Sequence, residues 1–253
     1  MAYGTLAEVY DFLIPDDMVT PAGSAAAHDD ALASVAAGGQ VLDCSCGSGL
    51  LAVGLAQAGF QVSASDISPE MVERTRALAE AHDAAVETRV CAWGNLTAQG
   101  WSRRFDAVLC VGNSLIHAPG REGRRSALRG MESVLADEGV LVLTSRNWEF
   151  QLEHAQSLLV GERIVERDGR RGVVVYDWLP TATWSERHLL DIAVILLDPD
   201  GVGVRTHTER LAYWPFTPNE LAEDLASAGL EAADSTFQPN VDRYSLIARR
   251  RSG

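Results

Sequence analysis

The sequence predicts an α/β protein, and two observations predict it. Short apolar segments alternate with helical segments between about residues 40 and 145, as they do in parallel sheets covered by helices on both faces. Beyond residue 160 the rhythm changes to longer segments with turn residues at their centres, which is typical of antiparallel hairpins. With 253 residues, the chain is long enough for one compact domain with an insertion.

The first part of the chain is predicted to form most of a parallel sheet. An alanine-rich helix is expected over residues 25–36, before Gly38-Gly39. Further helices are expected over residues 50–58 and 121–135, and one begins at Ser68-Pro69, which suits an N-cap followed by the first helical position. Strands are expected over residues 40–44, 61–66, 88–92, 105–111 and 140–145.

The second part is predicted to form two hairpins before the alternating pattern returns. Residues 163–179 turn at Asp168-Gly169, and residues 188–213 turn at Asp198-Pro199-Asp200-Gly201. A helix over residues 217–228 and a strand over 244–248 follow. We therefore expect a Rossmann-like, doubly wound sheet of seven mostly parallel strands with an antiparallel hairpin insertion. The expected divisions are a covering segment over 1–38, a core over 39–160 and 215–253, and the insertion over 161–214.

The composition restricts the classes of partner. The chain carries 21 basic and 35 acidic residues, a net charge of −14, which disfavours nucleic acid and anionic membranes. It contains no lysine, which excludes Schiff-base chemistry and a P-loop. The histidines and four cysteines lack metal-ligand spacing, so no metal is expected. With no apolar span or leader in view, a cytoplasmic protein acting on a small molecule is expected.

The strongest motif is Asp43-Cys44-Ser45-Cys46-Gly47-Ser48-Gly49, which lies between a predicted strand and a predicted helix. The next strand ends at Asp66, where a carboxylate can accept the hydroxyls of a ribose. The third glycine of a dinucleotide fingerprint is missing, and Asp43 would repel a pyrophosphate. A carboxylate there suits a ligand with an ammonium group. The pattern therefore favours S-adenosylmethionine over a nicotinamide dinucleotide.

Four segments together resemble the class I S-adenosylmethionine-dependent methyltransferases, and within them the glycine N-methyltransferase group, which includes glycine/sarcosine methyltransferases. The segments are Val41-Leu42-Asp43-Cys44-Ser45-Cys46-Gly47-Ser48-Gly49, Cys91-Ala92-Trp93, Cys110-Val111-Gly112-Asn113-Ser114-Leu115-Ile116-His117 and Ser145-Arg146-Asn147-Trp148. The first segment is specific only for the superfamily, whereas the last two segments together narrow the resemblance to the glycine N-methyltransferase group.

The resemblance implies a role for each matching residue. The cofactor-binding residues would be Tyr3, Asp43, Ser45, Cys46, Gly47, Gly49, Asp66, Ile67, Met71, Ala92, Trp93, Val111, Gly112 and His117. The acceptor would be held by Tyr10, Asn113, Arg146 and Tyr213, and the catalytic residues would be Asn113, His117 and Arg146. Arg146 would pair with an acceptor carboxylate. The resemblance also suggests self-association.

Three departures from the family pattern bear on the acceptor. Ala92 stands where the family usually has Asn, residues 25–36 lack an arginine, and a pocket tyrosine is replaced near Leu190-Asp191-Ile192. These changes favour an amino-acid-like acceptor larger or less polar than glycine. The expected activity is methyl transfer to the nitrogen of a small amino-acid-like acceptor, either glycine- or sarcosine-like or a secondary-metabolite amine. The alternatives are an O-methyltransferase of a sugar or natural-product hydroxyl, with His117 as general base, and a non-catalytic S-adenosylmethionine-binding protein.

Overall fold

A computed structural model describes residues 3–101, 105–154, 157–184, 186–199 and 202–251. Two sheets organise them. The helices are α1 (Pro21–Ala26), α2 (Asp29–Leu32), α3 (Leu50–Gln57), α4 (Pro69–Ala81), α5 (Gly120–Val134), α6 (Trp148–His154) and α7 (Pro218–Ser227). The strands are β1 (Gln40–Asp43), β2 (Gln61–Asp66), β3 (Val86–Val90), β4 (Phe105–Cys110), β5 (Leu135–Arg146), β6 (Leu158–Val160), β7 (Val165–Arg167), β8 (Arg170–Leu179), β9 (His188–Leu197), β10 (Val204–Tyr213), β11 (Leu230–Ser235) and β12 (Arg243–Arg250).

The larger sheet has seven strands in the order β11-β12-β5-β4-β1-β2-β3. Strands β1 to β5 pair in parallel, whereas β12 is antiparallel to both of its neighbours. This arrangement confirms the predicted α/β class and the mostly parallel sheet. The strand order reverses between β1 and β4, and such a switch point opens a crevice at the carboxyl ends of the strands.

Alternating side chains of the central strands point to two separate hydrophobic cores. Val41 packs in a core with Leu51 and Leu55 of α3, whereas its neighbour Leu42 packs in the core that contains Leu128 and Met131 of α5. Helices therefore cover both faces, as a parallel sheet requires. No helix in the described part of the chain is long and apolar enough to cross a bilayer.

The second sheet is antiparallel, in the order β10-β9-β8-β6, with β7 also paired to β8. The predicted turn at Asp168-Gly169 is confirmed: both residues have positive φ and connect Arg167 to its partner Arg170. The β9–β10 hairpin is also confirmed, although Asp200 and Gly201 of its turn lie outside the described residues. The sheet begins earlier than expected, at Leu158 in β6.

Two local predictions were wrong. The single helix expected over residues 25–36 is two short helices, because His28 leaves the helical conformation with φ −124°. Thr20 caps α1, its side chain accepting the Gly23 N–H at 3.1 Å. Strand β5 begins at Leu135 rather than residue 140. Strand β11 was not predicted, since its Ala232-Ala233-Asp234 stretch has low strand propensity.

Candidate active site

A cavity of about 570 Å³ opens at the carboxyl edge of the larger sheet, beside the switch point. The loops after β1, β2, β3 and β4 form its floor, while the N-terminal segment, α5 and the end of β10 form its walls. The lining residues are Tyr3, Tyr10, Cys44, Ser45, Gly47, Asp66, Ile67, Met71, Cys91, Ala92, Trp93, Gly94, Ser114, His117, Ala118, Pro119, Gly123, Ser126, Ala127, Arg210, Leu211, Ala212 and Trp214.

The loop after β1 packs closely against α4 because a glycine stands at the point of contact. Gly49 has φ +90°, and a Cβ at this position would lie 2.7 Å from the Thr75 Cα of α4. Only glycine allows the loop to pass the backbone of α4 this closely. The Thr75 hydroxyl donates to the Gly47 carbonyl at 3.1 Å, so the helix also fixes the loop from the side.

Two carboxyl groups end the first two strands and favour positive charge at this end of the site. Asp66 accepts the backbone N–H of Gly47 at 3.1 Å and of Ser68 at 2.9 Å. Asp43 is 1% exposed and accepts the Ser45 N–H at 3.2 Å. Burial raises the pKa of Asp43 to about 7 and raises the pKa of Asp66 above its ordinary value. No basic side chain among the described residues contributes to either shift, so a cationic ligand without phosphate fits this end.

A flat apolar slot lies next to Asp66. Ile67 is 51% exposed there, although it is a large apolar side chain. Trp93 is fixed by its indole N–H, which donates to the Cys44 carbonyl at 2.7 Å. Ala92 and Met71 complete this side of the slot. A planar heterocycle such as adenine suits such a surface.

The opposite wall was missed by the sequence reasoning. Gly123, Ser126 and Ala127 of α5 line the cavity together with Pro119 at the start of that helix. Their spacing of three and four places these small residues on one helix face. That spacing is the sequence signal that could have identified the wall. Trp214 and Arg210 complete it from the end of β10.

The other end of the cavity is aromatic and neutral. Tyr3 packs edge-on against Tyr10 and His117, with ring centroids 5.2 and 5.4 Å apart. Tyr213 packs against His117 at 5.0 Å, and its hydroxyl lies 3.4 Å from that of Tyr3. Burial raises the pKa of Tyr3, Tyr10 and Tyr213, so these phenols stay protonated.

His117 is poorly suited to collect a proton. Its Nδ1 lies 3.2 Å from the Ala212 carbonyl, which favours the tautomer that donates from Nδ1 and keeps Nε2 as an acceptor. Burial lowers the pKa of His117 to about 4. The ring is therefore neutral at pH 7 and is a weak base.

Arg146 and Asn113 lie together near this end but do not line the cavity. Asn113, with φ +64°, uses its side-chain oxygen to accept the Arg146 backbone N–H at 3.0 Å. One guanidinium nitrogen of Arg146 contacts both oxygens of Asp242, at 3.2 and 3.3 Å. Arg146 is therefore already engaged with a carboxylate of this chain.

Most of the predicted site residues line this cavity, and the others lie outside its lining. Those at its surface are Tyr3, Tyr10, Ser45, Gly47, Asp66, Ile67, Met71, Ala92, Trp93 and His117. Those that do not line it are Asp43, Cys46, Gly49, Val111, Gly112, Asn113, Arg146 and Tyr213. Of the latter, Asp43 and Gly49 shape the first loop, while Gly112 donates to the Thr144 hydroxyl at 2.8 Å.

Comparisons with known proteins agree with this geometry. Residues 41–139 match the family model described as "Methyltransferase domain". The glycine/sarcosine N-methyltransferase of Aphanothece halophytica is 37% identical over 114 residues, which are 45% of this chain and 43% of that protein. The match thus spans less than half the length of that curated relative. The rat glycine N-methyltransferase is 32% identical over 126 residues, covering 45% of this chain and 42% of its own.

Solved structures extend the likeness to the whole chain. The CcbJ methyltransferase from Streptomyces caelestis is 25% identical, covers 100% of this chain and 99% of its own, and superposes with a TM-score of 0.77. CalS10, an amino pentose methyltransferase from Micromonospora echinaspora solved with S-adenosylmethionine bound, shares the fold at 21% identity and a TM-score of 0.73, covering 99% of this chain and 98% of its own. The chain is therefore similar in fold, along its whole length, to S-adenosylmethionine-dependent methyltransferases, and in sequence, over less than half of its length, to the glycine N-methyltransferase group.

Proposed function

We propose that the protein transfers a methyl group from S-adenosylmethionine to the nitrogen of a small amine. The observation that carries the choice of nitrogen is the state of His117, whose pKa is lowered to about 4 and whose Nδ1 faces a backbone carbonyl. Methylation of a hydroxyl needs a base that removes its proton. The lone pair of a neutral amine is nucleophilic enough to attack without prior loss of a proton, so the amine needs only to be positioned.

The residues divide the work between the two ends of the cavity. When bound, S-adenosylmethionine supplies a methyl group on a positively charged sulfur, which an in-line lone pair displaces. Asp66 and Ile67 would hold the ribose and one adenine face, and Trp93 the other. Asp43 places negative charge behind the first loop. The protonated hydroxyls of Tyr3 and Tyr10, which line the cavity, would orient the acceptor and face its developing positive charge with their oxygen atoms, while Tyr213 would hold the Tyr3 hydroxyl from behind.

The names of the relatives support nitrogen as the acceptor atom, but they differ in the molecule that bears this nitrogen. The names of the curated relatives specify glycine and sarcosine, and that of CalS10 specifies an amino pentose. Asp242 already neutralises Arg146 through one guanidinium nitrogen, and Arg146 does not line the cavity, so no free cation lies ready for an acceptor carboxylate there. We therefore propose an amine whose remaining part need not carry a carboxylate, rather than glycine itself.

The pH dependence of kcat/KM tests the proposal against O-methylation. With an amine acceptor, kcat/KM should rise about tenfold per pH unit until the acceptor's own ammonium group is deprotonated. The variant His117→Asn should keep this profile, because the imidazole is not the base. The assay follows formation of S-adenosylhomocysteine with matched amines and alcohols, for example cyclohexylamine and cyclohexanol.

The O-methyltransferase alternative makes the opposite prediction. It would be supported by methylation of the alcohols and by a loss of about 10²–10⁴ in kcat for His117→Asn. Binding of S-adenosylmethionine without turnover of any amine or alcohol would instead indicate the non-catalytic alternative.

A further inference from the structure

The second sheet has one face packed on the rest of the molecule and one face turned away from it. Successive residues of a strand point to opposite faces, and Val174, Val194 and Leu196 are 6%, 0% and 2% exposed. These side chains belong to the same hydrophobic core as Leu6 and Val9 of the N-terminal segment. One face of the sheet therefore covers the N-terminal segment, and the alternate residues of β8, β9 and β10 form the opposite face.

The centre of this opposite face is apolar. Val173 pairs with Ile195, and Val175 pairs with Ala193, in the register of β8 and β9. All four side chains are half-buried, and neither hydrophobic core of the described chain includes any of them. The solvated face of an antiparallel sheet normally carries polar residues at such positions. We define the outer face as these four residues together with Arg171, Asp177, Asp191, Thr206, Thr208 and Arg210.

The charges of the outer face cancel, because it carries two arginines and two aspartates. The whole chain has a net charge of −14, so two copies repel each other on average. Arg210 and Asp191 already pair with each other at 2.6 Å, and Asp177 adds a weaker attraction to Arg210 across β9. Within the described part of the chain, neither Arg171 nor Asp177 forms an ion pair. The outer face is thus a neutral surface with one cation and one anion still to be paired.

Arg171 and Asp177 lie at equal distances from the centre of the outer face. Both belong to β8, at three residues on either side of Val174, which is about 10 Å at a rise of about 3.3 Å per residue. A second copy, placed face to face and related by a two-fold axis across the strands, runs in the opposite direction. Arg171 of each copy then faces Asp177 of the other, and Val173 of each faces Val175 of the other. The outer face is therefore its own complement in charge and in apolar surface.

We propose that the outer face is the interface of a two-fold symmetric dimer of this chain, in which the two antiparallel sheets pack face to face. Sheets that pack in this way lie about 10 Å apart, with strand directions within about 30° of each other. The apolar centre would leave water, which supplies the driving force. The two pairs of Arg171 with Asp177 lie at the ends of that centre, where charge pairs select the partner and its orientation more than they add affinity.

Charge reversal tests the interface and its symmetry together. The variants are Arg171→Asp and Asp177→Arg, neither of which changes a residue of the cavity lining. Each variant alone places like charges against each other at both ends of its own dimer. A mixture of the two variants places opposite charges at both ends of the mixed dimer, and the double variant does so in its own dimer. The matched control is Arg129→Asp, which reverses an exposed arginine of α5.

We expect the wild type to dimerise in sedimentation-velocity runs between about 1 and 100 µM. Each single variant should raise the Kd of the dimer at least about tenfold, because two attractions become two repulsions. The equimolar mixture and the double variant should return to within about threefold of the wild-type Kd. Arg129→Asp should have the Kd of the wild type.

Three results would overturn the proposal. The first is a wild type that stays monomeric up to about 100 µM. The second is a dimer whose Kd neither reversal changes, since its interface would then lie elsewhere. The third is a loss in both single variants that neither the mixture nor the double variant restores, since the two-fold pairing would then be wrong. If one variant fails to fold, as circular dichroism would reveal, the other decides: a Kd about tenfold higher supports the interface, and an unchanged Kd contradicts it.

Discussion

Gly49 illustrates how one backbone position shapes the site. Its φ is +90°, and a Cβ added at this position would lie 2.7 Å from the Thr75 Cα. Gly59 has a similar φ of +95°, but nothing lies within 4 Å of its Cβ position. Gly49→Ala should therefore lower the free energy of unfolding by about 1–3 kcal/mol more than the matched variant Gly59→Ala. Urea denaturation of both variants measures the difference, and equal losses would contradict the close approach.

Asp43 is expected to couple ligand binding to the release of a proton. Its buried carboxyl has a pKa of about 7, so it is about half protonated at neutral pH. A cationic ligand nearby favours the ionised form and should lower this pKa. Binding of S-adenosylmethionine should thus release a fraction of a proton at pH 7, and affinity should rise between pH 6 and 8.

Calorimetry in two buffers of different ionisation enthalpy measures that proton. The variant Asp43→Asn cannot release it and is the direct control. Asp234→Asn, at an exposed position in β11, should behave as the wild type. Proton uptake by the wild type, or release that persists in Asp43→Asn, would contradict the role of Asp43.

At the scale of elements, polar contacts hold the N-terminal segment over the cavity. Arg167 of β7 donates to the carbonyls of Asp11 and Ile14, both at 2.9 Å, and to the Asp16 carboxylate at 2.8 Å. Arg74 of α4 pairs with Asp11 at 2.7 Å. These contacts fix the chain directly after Tyr10, whereas Thr5 and Leu6, beside Tyr3, donate to the Glu209 carboxylate of β10.

Arg167→Ala should loosen this segment without touching the lining. Its side chain is 10% exposed, so two partly buried hydrogen bonds to backbone carbonyls and one exposed ion pair with Asp16 would be lost. We expect the Kd of S-adenosylmethionine to rise about tenfold and limited proteolysis within residues 3–18 to accelerate. The control is Arg205→Ala, an exposed arginine of β10 that pairs with Asp198. An unchanged Kd of S-adenosylmethionine in Arg167→Ala would contradict a role of the N-terminal segment in holding this ligand.

At the scale of the whole molecule, features encoded locally could be predicted from the sequence. The loop between Asp43 and Gly49 and the turn at Asp168-Gly169 depend on the backbone freedom of a few adjacent residues. Asp66 was placed correctly at the end of β2, because strand ends follow from hydrophobic pattern. The two sheets follow from the same patterns.

Features that depend on distant residues could not be predicted. Arg146 meets Asp242 only because β5 and β12 are neighbours in the sheet, with Arg146 opposite Arg243. The same holds for the ring contacts among Trp148, Trp178 and His188, where α6, β8 and the start of β9 converge. Sequence spacing carries no information on such pairings. The alanine-rich stretch over residues 25–36 was predicted to form one helix from local propensity alone, and local propensity is a weak guide to helix boundaries.

The roles assigned to Asp43, Asp66 and Trp93 all depend on which ligand the switch-point cavity accepts. Equilibrium dialysis of the purified protein with S-adenosylmethionine, S-adenosylhomocysteine and NAD⁺ tests this most directly. We expect retention of both S-adenosyl compounds, competition between them, and a loss of at least about tenfold in affinity for Asp66→Asn, because the ribose would lose its carboxylate acceptor. Retention of NAD⁺ with no retention of S-adenosylmethionine would contradict the account.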